Sequence, residues 1–213
     1  LDVAVLIKDI TIEGGIVIGN GGGIYNLGDL TVKNCDIKDN FCSNNGAGIY
    51  SDGGNLTLIN CDFTYNESDD GGALYVEDQD KVTITNCLFN DNDAFDDYGG
   101  GIYCYDISDD LSISSSTITN NVSDNRGGGI YIYNASCTIT DTEIIDNRAE
   151  EDGGGLYFSA GLGGDSYLYM YNSNISGNYV EEENGGGIYL EYISDIVISG
   201  CTINDNEIGR AHV

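Results

Sequence analysis

The chain has 213 residues, 40% of them hydrophobic, which is enough for one sizeable core or one continuous stack of repeats and excludes a disordered polar segment. Its 36 acidic residues against seven Lys and Arg give a formal net charge of -29, which excludes nucleic acids and anionic membranes as partners, because both bind basic surfaces. No apolar run approaches the length of a transmembrane helix, so no membrane insertion is expected.

The first segment is an apolar strand, VAVLIKDI at residues 3–10, which aligns with LTVKNCDI at residues 30–37. We interpret it as an incomplete extra turn of the repeat that follows. Because the sequence shows neither an initiator Met nor a signal peptide, we expect Leu1 to begin a mature or trimmed fragment. The 31 glycines and 16 tyrosines, with no proline, suit a β architecture with many tight corners.

From residue 21 onward, a glycine-rich element of the form GGGIY recurs seven times, and its tyrosines are separated by 25, 25, 28, 28, 26 and 32 residues. These tyrosines are Tyr25, Tyr50, Tyr75, Tyr103, Tyr131, Tyr157 and Tyr189. Each copy is followed by a second element, apolar-x-apolar-x-N-C-x-I/F-x-x-N, as in LTLINCDFTYN at residues 56–66. Its final asparagine is kept in every copy, at Asn40, Asn66, Asn92, Asn121, Asn147, Asn178 and Asn206.

Each unit shows three short strands in which apolar and polar residues alternate, with Ile24 inward and Tyr25 outward in the first strand. A unit of about 26 residues cannot bury its apolar side alone, whereas stacking on its neighbours buries it. The sequence therefore predicts an all-β fold, a single-stranded parallel β-helix (solenoid) of about eight turns with three strands per turn. We expect one domain over residues 1–213, three long sheets and a rod of roughly 40 Å.

Two columns of asparagines are predicted to form corners of the solenoid. Asparagine tolerates left-handed backbone geometry, and its side-chain amides can hydrogen-bond from turn to turn. The final asparagines form one such column, and Asn34, Asn60 and Asn86 form the other. The glycines before each Ile-Tyr pair indicate a tight corner that a Cβ atom would obstruct.

The seven cysteines fall into two groups, and the interior group includes Cys137, which takes the place of an inward leucine. Small residues occupy an interior column that consists of Cys35, Cys61, Cys87, Ser116, Thr142, Ser173 and Cys201. Buried thiols acting as small hydrophobic groups are favoured there, with a bridge between Cys35 and Cys61 as the alternative. Cys42 and Cys104 are expected in loops, where exposed thiol chemistry is available.

The two elements together resemble the repeat of polymorphic outer membrane proteins, with its GGA[ILV] and FxxN signatures. The resemblance covers nearly the whole chain, although five of the seven complete turns have Ile in place of Phe. It implies a right-handed β-helix of the kind found in large secreted or surface-exposed proteins, often adhesins or autotransporter passengers. An extracellular or cell-surface location is therefore expected.

The seven tyrosines of the GGGIY elements are expected to form an outward-facing aromatic column on the surface, spaced by the inter-strand distance. One interpretation is a strip that binds a glycan or another subunit. The other, which we favour, is a self-stacking ladder that stabilises neighbouring turns.

Acidic residues concentrate between each final asparagine and the next glycine corner, so stacking brings like charges together. Calcium, which prefers carboxylate and carbonyl oxygens, is the one cofactor that we consider. The calcium candidates are Asp69, Asp70, Asp96, Asp97 and Asp152. The alternative is a solvated acidic face, because no loop has the D-x-[DN]-x-[DN]-G pattern.

Five Asn-x-Ser/Thr sequons occur in the sequence. Asn66 and Asn121 belong to a corner column and are expected to be unavailable. The candidate glycosylation sites are Asn55 and Asn134, expected in loops, and Asn174, expected to point outward. In a chain so rich in Asn, Ser and Thr, chance alone also produces sequons.

No catalytic residues are assigned, and the chain is not expected to be an enzyme. Many polysaccharide lyases and hydrolases use a β-helix, so a polysaccharide-binding or polysaccharide-degrading protein is the alternative. A lyase needs a basic residue in its active site, and the few Lys and Arg of this chain form no such cluster. A hydrolase needs a pair of carboxylates in a cleft, and in a chain with this many acidic residues such a pair arises by chance. The one longer loop, at 158–167, is too short to form the wall of an active-site cleft.

The two ends carry no polar cap in the sequence, because the chain opens in LDVAVLI and closes within a few residues of Asn206. Solenoid ends normally need such a cap, since their strand edges are unpaired. We expect each end to be covered by flanking solenoid segments of a longer protein or, in a structural and filament-forming role, by another copy stacked head to tail.

Overall fold

The computed structural model describes residues 4–161 and 166–209, and within them every regular element is a β-strand. The strands form three parallel sheets, one of 13 strands and two of eight. The first sheet contains β1 (Val5–Lys8), β4 (Ile24–Asn26), β5 (Leu30–Lys33), β8 (Ile49–Asp52), β9 (Asn55–Ile59), β12 (Leu74–Glu77), β13 (Lys81–Thr85), β16 (Ile102–Ser114), β19 (Ile130–Thr140), β22 (Leu156–Ser159), β23 (Tyr167–Tyr171), β26 (Ile188–Glu191) and β27 (Asp195–Ser199).

The second and third sheets lie on the other sides of the solenoid. The second contains β2 (Thr11–Glu13), β6 (Asp36–Lys38), β10 (Asp62–Thr64), β14 (Leu88–Asn90), β17 (Thr117–Thr119), β20 (Glu143–Ile145), β24 (Asn174–Ser176) and β28 (Thr202–Asn204). The third contains β3 (Ile16–Val17), β7 (Phe41–Cys42), β11 (Glu67–Ser68), β15 (Asp93–Ala94), β18 (Val122–Ser123), β21 (Arg148–Ala149), β25 (Tyr179–Val180) and β29 (Glu207–Ile208). Eight strands in each confirm the predicted solenoid of about eight turns.

The assignment of strands to sheets differs from the prediction in two ways. Two of the three predicted strands of each unit belong to the first sheet, and β16 and β19 run through both positions without a break. The third sheet lies in segments that were predicted to be acidic loops. Its strands have only two residues each, which is too short for an alternating pattern to be visible in the sequence.

The first turn pairs with the second at a different offset from the one that the sequence alignment implied. Val5 lies beside Leu30 and Ile7 beside Val32, an offset of 25 residues, whereas the alignment placed Val3 opposite Leu30. The two offsets differ by two residues. Because side chains alternate with a period of two, both offsets direct the same side chains inward, and the pattern alone could not separate them.

The core consists of apolar columns in which each side chain stacks on its counterpart one turn away. The predicted inward column is confirmed, since its successive members are register partners: Ile24, Ile49, Leu74, Ile102, Ile130, Leu156 and Ile188. All of its members except Ile24 and Ile188 are fully buried. The second sheet adds another such column, in which the rings of Phe63 and Phe89 stack 4.7 Å apart between centroids.

The asparagine columns form two corners with different geometry. Asn34, Asn60 and Asn86 have φ of +53°, +53° and +52°, the left-handed conformation predicted for them. In the other corner, the residue before the final asparagine takes that conformation, as at Asp39 and Tyr65, which have φ of +53° and +57°. The final asparagines are thereby free to direct their amides along the solenoid axis.

The final asparagines form a continuous buried ladder, as predicted. In each step the side-chain amide nitrogen donates to the Oδ1 atom of the next asparagine at 2.9–3.0 Å. Asn92 is typical, because its Nδ2 also donates to the Phe63 carbonyl at 3.0 Å and its Oδ1 accepts both the backbone and the side-chain N–H of Asn66. The ladder therefore satisfies the polar groups of a corner in which every asparagine is buried except Asn206 of the last turn, which is half-buried.

The glycine corner is required by close approach of the backbones. Gly127 has φ of +68°, and a Cβ atom on Gly129 would lie 2.6 Å from the Gly155 carbonyl oxygen. Larger residues at these positions would force neighbouring turns apart, which explains the repetition of glycine before Ile-Tyr.

All seven cysteines are free thiols in the structure, and six of them are buried. The expectation that Cys42 and Cys104 lie in exposed loops is wrong. Cys42 belongs to β7, and Cys104 points inward from β16 between Val76 and Ile132. Both cysteines occupy inward positions of strands that the sequence pattern did not predict: β7 has only two residues, and β16 continues past the expected end of the Ile-Tyr strand.

Candidate functional site along the tyrosine column

The tyrosine column, defined as the seven tyrosines of the GGGIY elements, is a continuous stack of rings. Neighbouring ring centroids lie 4.4 to 5.5 Å apart, with interplanar angles of 5° to 13°. The column faces away from the main core, but it is not the exposed strip that was expected. Tyr25 is 55% exposed and Tyr189 is half-buried, whereas the five rings between them are buried.

Three hydroxyl groups of the column, those of Tyr50, Tyr75 and Tyr157, are held by carboxylates of the next outward position. Tyr50 and Tyr75 donate to the two oxygens of Glu77, and Tyr157 donates to Oε2 of Glu191 at 2.9 Å. Burial, reinforced by these negative charges, raises the pKa of Tyr50, Tyr75 and Tyr157 well above the ordinary value of tyrosine. These three hydroxyls are therefore fixed donors.

Side chains from the adjacent loops cover the middle of the column. The ring of Tyr98 lies 4.7 Å from that of Tyr131, and the Arg126 guanidinium lies 5.6 Å from the centre of the Tyr157 ring. Arg126 is in turn paired with Glu151 at 2.9 Å and with Asp152 at 3.1 Å. These contacts explain why rings on the outer side of the sheet are shielded from water.

Asp152, one of the calcium candidates, is thus part of this cover. It is buried, and besides its ion pair with Arg126 it accepts hydrogen bonds from the backbone and side-chain nitrogens of Asn184, both at 3.2 Å. Both of its carboxylate oxygens already have partners within the protein. Asp152 is therefore not available as a calcium ligand beside the other candidates.

The other four calcium candidates form an acidic cluster, defined as Asp69, Asp70, Asp96 and Asp97. Burial raises the pKa of Asp70 to about 6, and the neighbouring carboxylates add to this effect, while the Tyr98 N–H that donates to Asp70 Oδ1 at 2.9 Å opposes it. The pKa of Asp69 and of Asp97 is also raised, chiefly by burial. No three His, Cys, Asp or Glu side chains of the described residues are arranged to hold a metal ion, and calcium binding stays a prediction.

The candidate glycosylation sites lie in strands. Asn55 begins β9 and donates to Asp29 at 3.0 Å, and Asn134 lies within β19 and donates to Asp106 at 2.7 Å, so neither is in the loop that was expected. Asn174 begins β24 and is half-buried. Asn66 and Asn121 are fully buried in the ladder, in agreement with the expectation that they are unavailable.

A second aromatic surface was missed by the sequence interpretation. Tyr167, Tyr169 and Tyr171, the tyrosine row, lie on the outer face of β23 and are half-buried. The signal was visible as YLYMY, in which tyrosine alternates with Leu168 and Met170. It lies outside the GGGIY elements, and the sequence interpretation placed Tyr167 in a longer loop at 158–167. The structure instead assigns 158–159 to β22 and Tyr167 to β23, and residues 162–165 of that loop are outside the described residues.

The two end turns expose the inward columns that the middle turns bury. In the last turn, four inward isoleucines are between 38% and 54% exposed: Ile196, Ile198, Ile203 and Ile208. In the first described turn, Val5 is 44% exposed, and Ile7, Ile12 and Val17 are half-buried. The described residues contain no helix with the length and apolarity that a membrane span needs.

A family model described as the right-handed β-helix region matches residues 3–123 and 108–212, and so nearly the whole chain. Compared with curated proteins and with solved structures, the chain matches none.

Proposed function

The chain belongs to the right-handed β-helix family, and from that premise we propose that it is a rigid, non-catalytic structural protein of the cell surface or the extracellular space, extended by end-to-end stacking of copies. The half-exposed inward side chains of the two end turns among the described residues carry this proposal. Its surface-protein setting is supported by the resemblance of the repeat, the acidic exterior and the scarcity of lysine.

The last turn presents an apolar surface, and within residues 4–161 and 166–209 the outer edges of its strands have no partner strand. Ile203 is 49% exposed, whereas Ile175, its register partner one turn earlier, is fully buried. Full burial of an isoleucine contributes about 1.5–3 kcal/mol, so covering each half-exposed isoleucine of this end adds about 1 kcal/mol. The outer edges of β27, β28 and β29 also offer backbone groups to a further strand.

The first turn of a second copy has the matching chemistry. The inward residues of the first and last turns belong to the same four columns, because successive register partners connect them from turn to turn. The column ends are Val5 and Ile196, Ile7 and Ile198, Ile12 and Ile203, and Val17 and Ile208. Stacking a first turn on a last turn therefore continues these four inward columns. Such a head-to-tail contact does not close on itself and produces a filament.

The acidic surface opposes this association and makes it dependent on cations. With a net charge of -29, two copies repel each other at low ionic strength, and salt reduces the repulsion. Comparing calcium chloride with sodium chloride at equal ionic strength separates specific binding in the acidic cluster from general screening.

Sedimentation velocity over a range of protein concentrations tests the proposal. We expect oligomers that grow with concentration and salt, and their loss in Ile203→Asp, which places a charge on the end surface. Thr202→Asp, on the outward side of the same strand, is the matched control and should associate like the wild type. Monomers at every concentration, or equal association by both variants, would contradict self-stacking.

The non-catalytic and extracellular parts of the proposal have their own tests. Incubation with neutral and acidic polysaccharides, with and without calcium, should release no shorter products, and any cleavage would contradict the non-catalytic role. Fractionation of cells that produce the full-length native protein should place it outside the cytoplasm, and cytoplasmic retention would contradict the location.

A further inference from the structure

The tyrosine row differs from the tyrosine column because all three of its rings are half-buried, whereas the five middle rings of the column are buried. Leu168 and Met170 are fully buried beneath the sheet, so β23 directs three successive aromatic rings to its outer face. The ring centroids of Tyr167 and Tyr169 are 4.4 Å apart with an interplanar angle of 22°. The first sheet therefore carries a compact aromatic surface on its flat outer side.

Hydrogen bonds hold the tyrosine row in place. The Tyr169 hydroxyl donates to Oδ2 of Asp195 at 2.7 Å, from the adjacent strand β27. The backbone N–H of Tyr167 donates to the Ser136 hydroxyl at 3.4 Å, on the other adjacent strand. Because its hydroxyl is held by Asp195, the Tyr169 ring loses little conformational entropy when a ligand binds.

The surface around the tyrosine row bears hydroxyl groups. Thr138 and Thr140 are the register partners of Tyr169 and Tyr171 on β19. The same two outward columns continue through Ser112 and Ser114 on β16 and through Thr83 and Thr85 on β13. The aromatic surface thus stands at one end of a flat strip of Thr and Ser side chains that follows the rod axis.

The charge of this surface restricts its ligands. Asp195 binds the Tyr169 hydroxyl, and Asp110 is close enough to raise the pKa of Tyr167 beyond what burial does. The strands β16, β19, β23 and β27 contain no Lys or Arg, and Lys81, on the β13 end of the strip, lies beside Asp110, its register partner. Anionic ligands are repelled here, whereas carboxylates and hydroxyls accept hydrogen bonds from the hydroxyl groups of an uncharged ligand.

From these contacts we propose that the tyrosine row and the adjoining Thr and Ser strip bind a neutral linear polysaccharide. A pyranose ring has a face of C–H groups that packs on an aromatic ring and an edge of hydroxyls that hydrogen-bonds to Asp195 and to the threonines. The rod axis provides a flat track for successive sugar rings. The site is on the side of the rod and does not depend on end-to-end stacking.

Affinity gel electrophoresis with the whole chain tests the proposal, with laminarin, hydroxyethylcellulose and galactomannan as neutral probes and polygalacturonate as the acidic one. The test variant combines Tyr169→Thr and Tyr171→Thr, which installs the residues that occupy the same columns on β19. The matched control is Tyr65→Asn, because Tyr65 is 59% exposed on another side of the rod and its left-handed φ of +57° suits asparagine.

We expect at least one neutral polysaccharide to retard the wild type and Tyr65→Asn, the double variant to lose at least tenfold in affinity, and polygalacturonate to have no effect. Failure of all three neutral probes, equal retardation of the double variant, or retardation by polygalacturonate alone would overturn the proposal. So would a double variant whose sedimentation differs from that of the wild type, because the face would then bind another copy. Retention of binding in Ile203→Asp separates this result from that of the stacking experiment.

Discussion

Replacing Asp70 by asparagine should stabilise the protein at neutral pH. Burial in the folded state raises the pKa of Asp70 from its ordinary value of 3.8 to about 6, so the carboxyl binds its proton more tightly in the folded than in the unfolded chain. Between these two pH values the folded state holds more protons, and its stability falls as the pH rises. At pH 7 the whole penalty is present, and below pH 3.8 it is gone.

The structure sets the size of this effect. The difference between about 6 and 3.8, at 1.36 kcal/mol per pH unit, corresponds to at most about 3 kcal/mol, and we expect roughly 2 kcal/mol because Asp70 is partly exposed. Asparagine retains an oxygen that can accept the Tyr98 N–H, so the substitution removes the charge and keeps the hydrogen bond.

Urea unfolding followed by circular dichroism, at pH 7 and at pH 3.5, measures the effect. Asp70→Asn should be more stable than the wild type at pH 7 and equal to it at pH 3.5. Asp109→Asn, which removes one exposed negative charge elsewhere, serves as the control and should change stability by less than about 0.5 kcal/mol. An Asp70→Asn variant that is less stable at pH 7, or whose effect is the same at both pH values, would refute the reasoning.

Three further predictions concern the ladders and the thiols. Asn92→Ala removes four buried hydrogen bonds and should destabilise the protein by about 4 kcal/mol in urea unfolding, against roughly 0.5 kcal/mol for exposed Asn204→Ala. In absorbance titration up to pH 12, the five buried members of the tyrosine column should stay protonated until the protein unfolds, since burial raises their pKa; ionisation of nearly all tyrosines near pH 10 in folded protein would disagree. A thiol reagent should modify Cys201 rapidly and the other six cysteines only after denaturation, as counted by mass spectrometry; rapid labelling of Cys42 or Cys104 would contradict their burial.

The repeat predicts the core of this fold because each column is written in the sequence once per turn. Ile49 and Leu74 occupy equivalent positions in successive copies of the repeat. The alternation that directs Ile49 inward therefore predicts that Leu74 also points inward. The ladder asparagines were predictable for the same reason. The two-residue strands such as β15 were not, because their backbone pairing comes from the turns above and below and leaves no pattern in two residues.

The environment of the tyrosine column shows what the repeat leaves undetermined. The GGGIY pattern places Tyr131 and Tyr157 on the outer side of the first sheet, but their burial depends on Tyr98 and Arg126, which occur once each in loops outside the pattern. The same limit hid the tyrosine row, since the YLYMY strand occurs in one turn only. The repeat predicts the side of the sheet on which a residue lies and its register partner in the next turn. Contacts with residues that occur only once in the chain determine how exposed its side chain is.

Electron microscopy of the chain at high protein concentration and moderate salt tests most directly whether it is a rod that extends by stacking. Eight turns at about 4.8 Å give a rod of roughly 40 Å. The stacking account predicts straight particles of constant width whose lengths are multiples of that value, and their disappearance in Ile203→Asp. Single short rods under all conditions, or rods associated side by side, would contradict it.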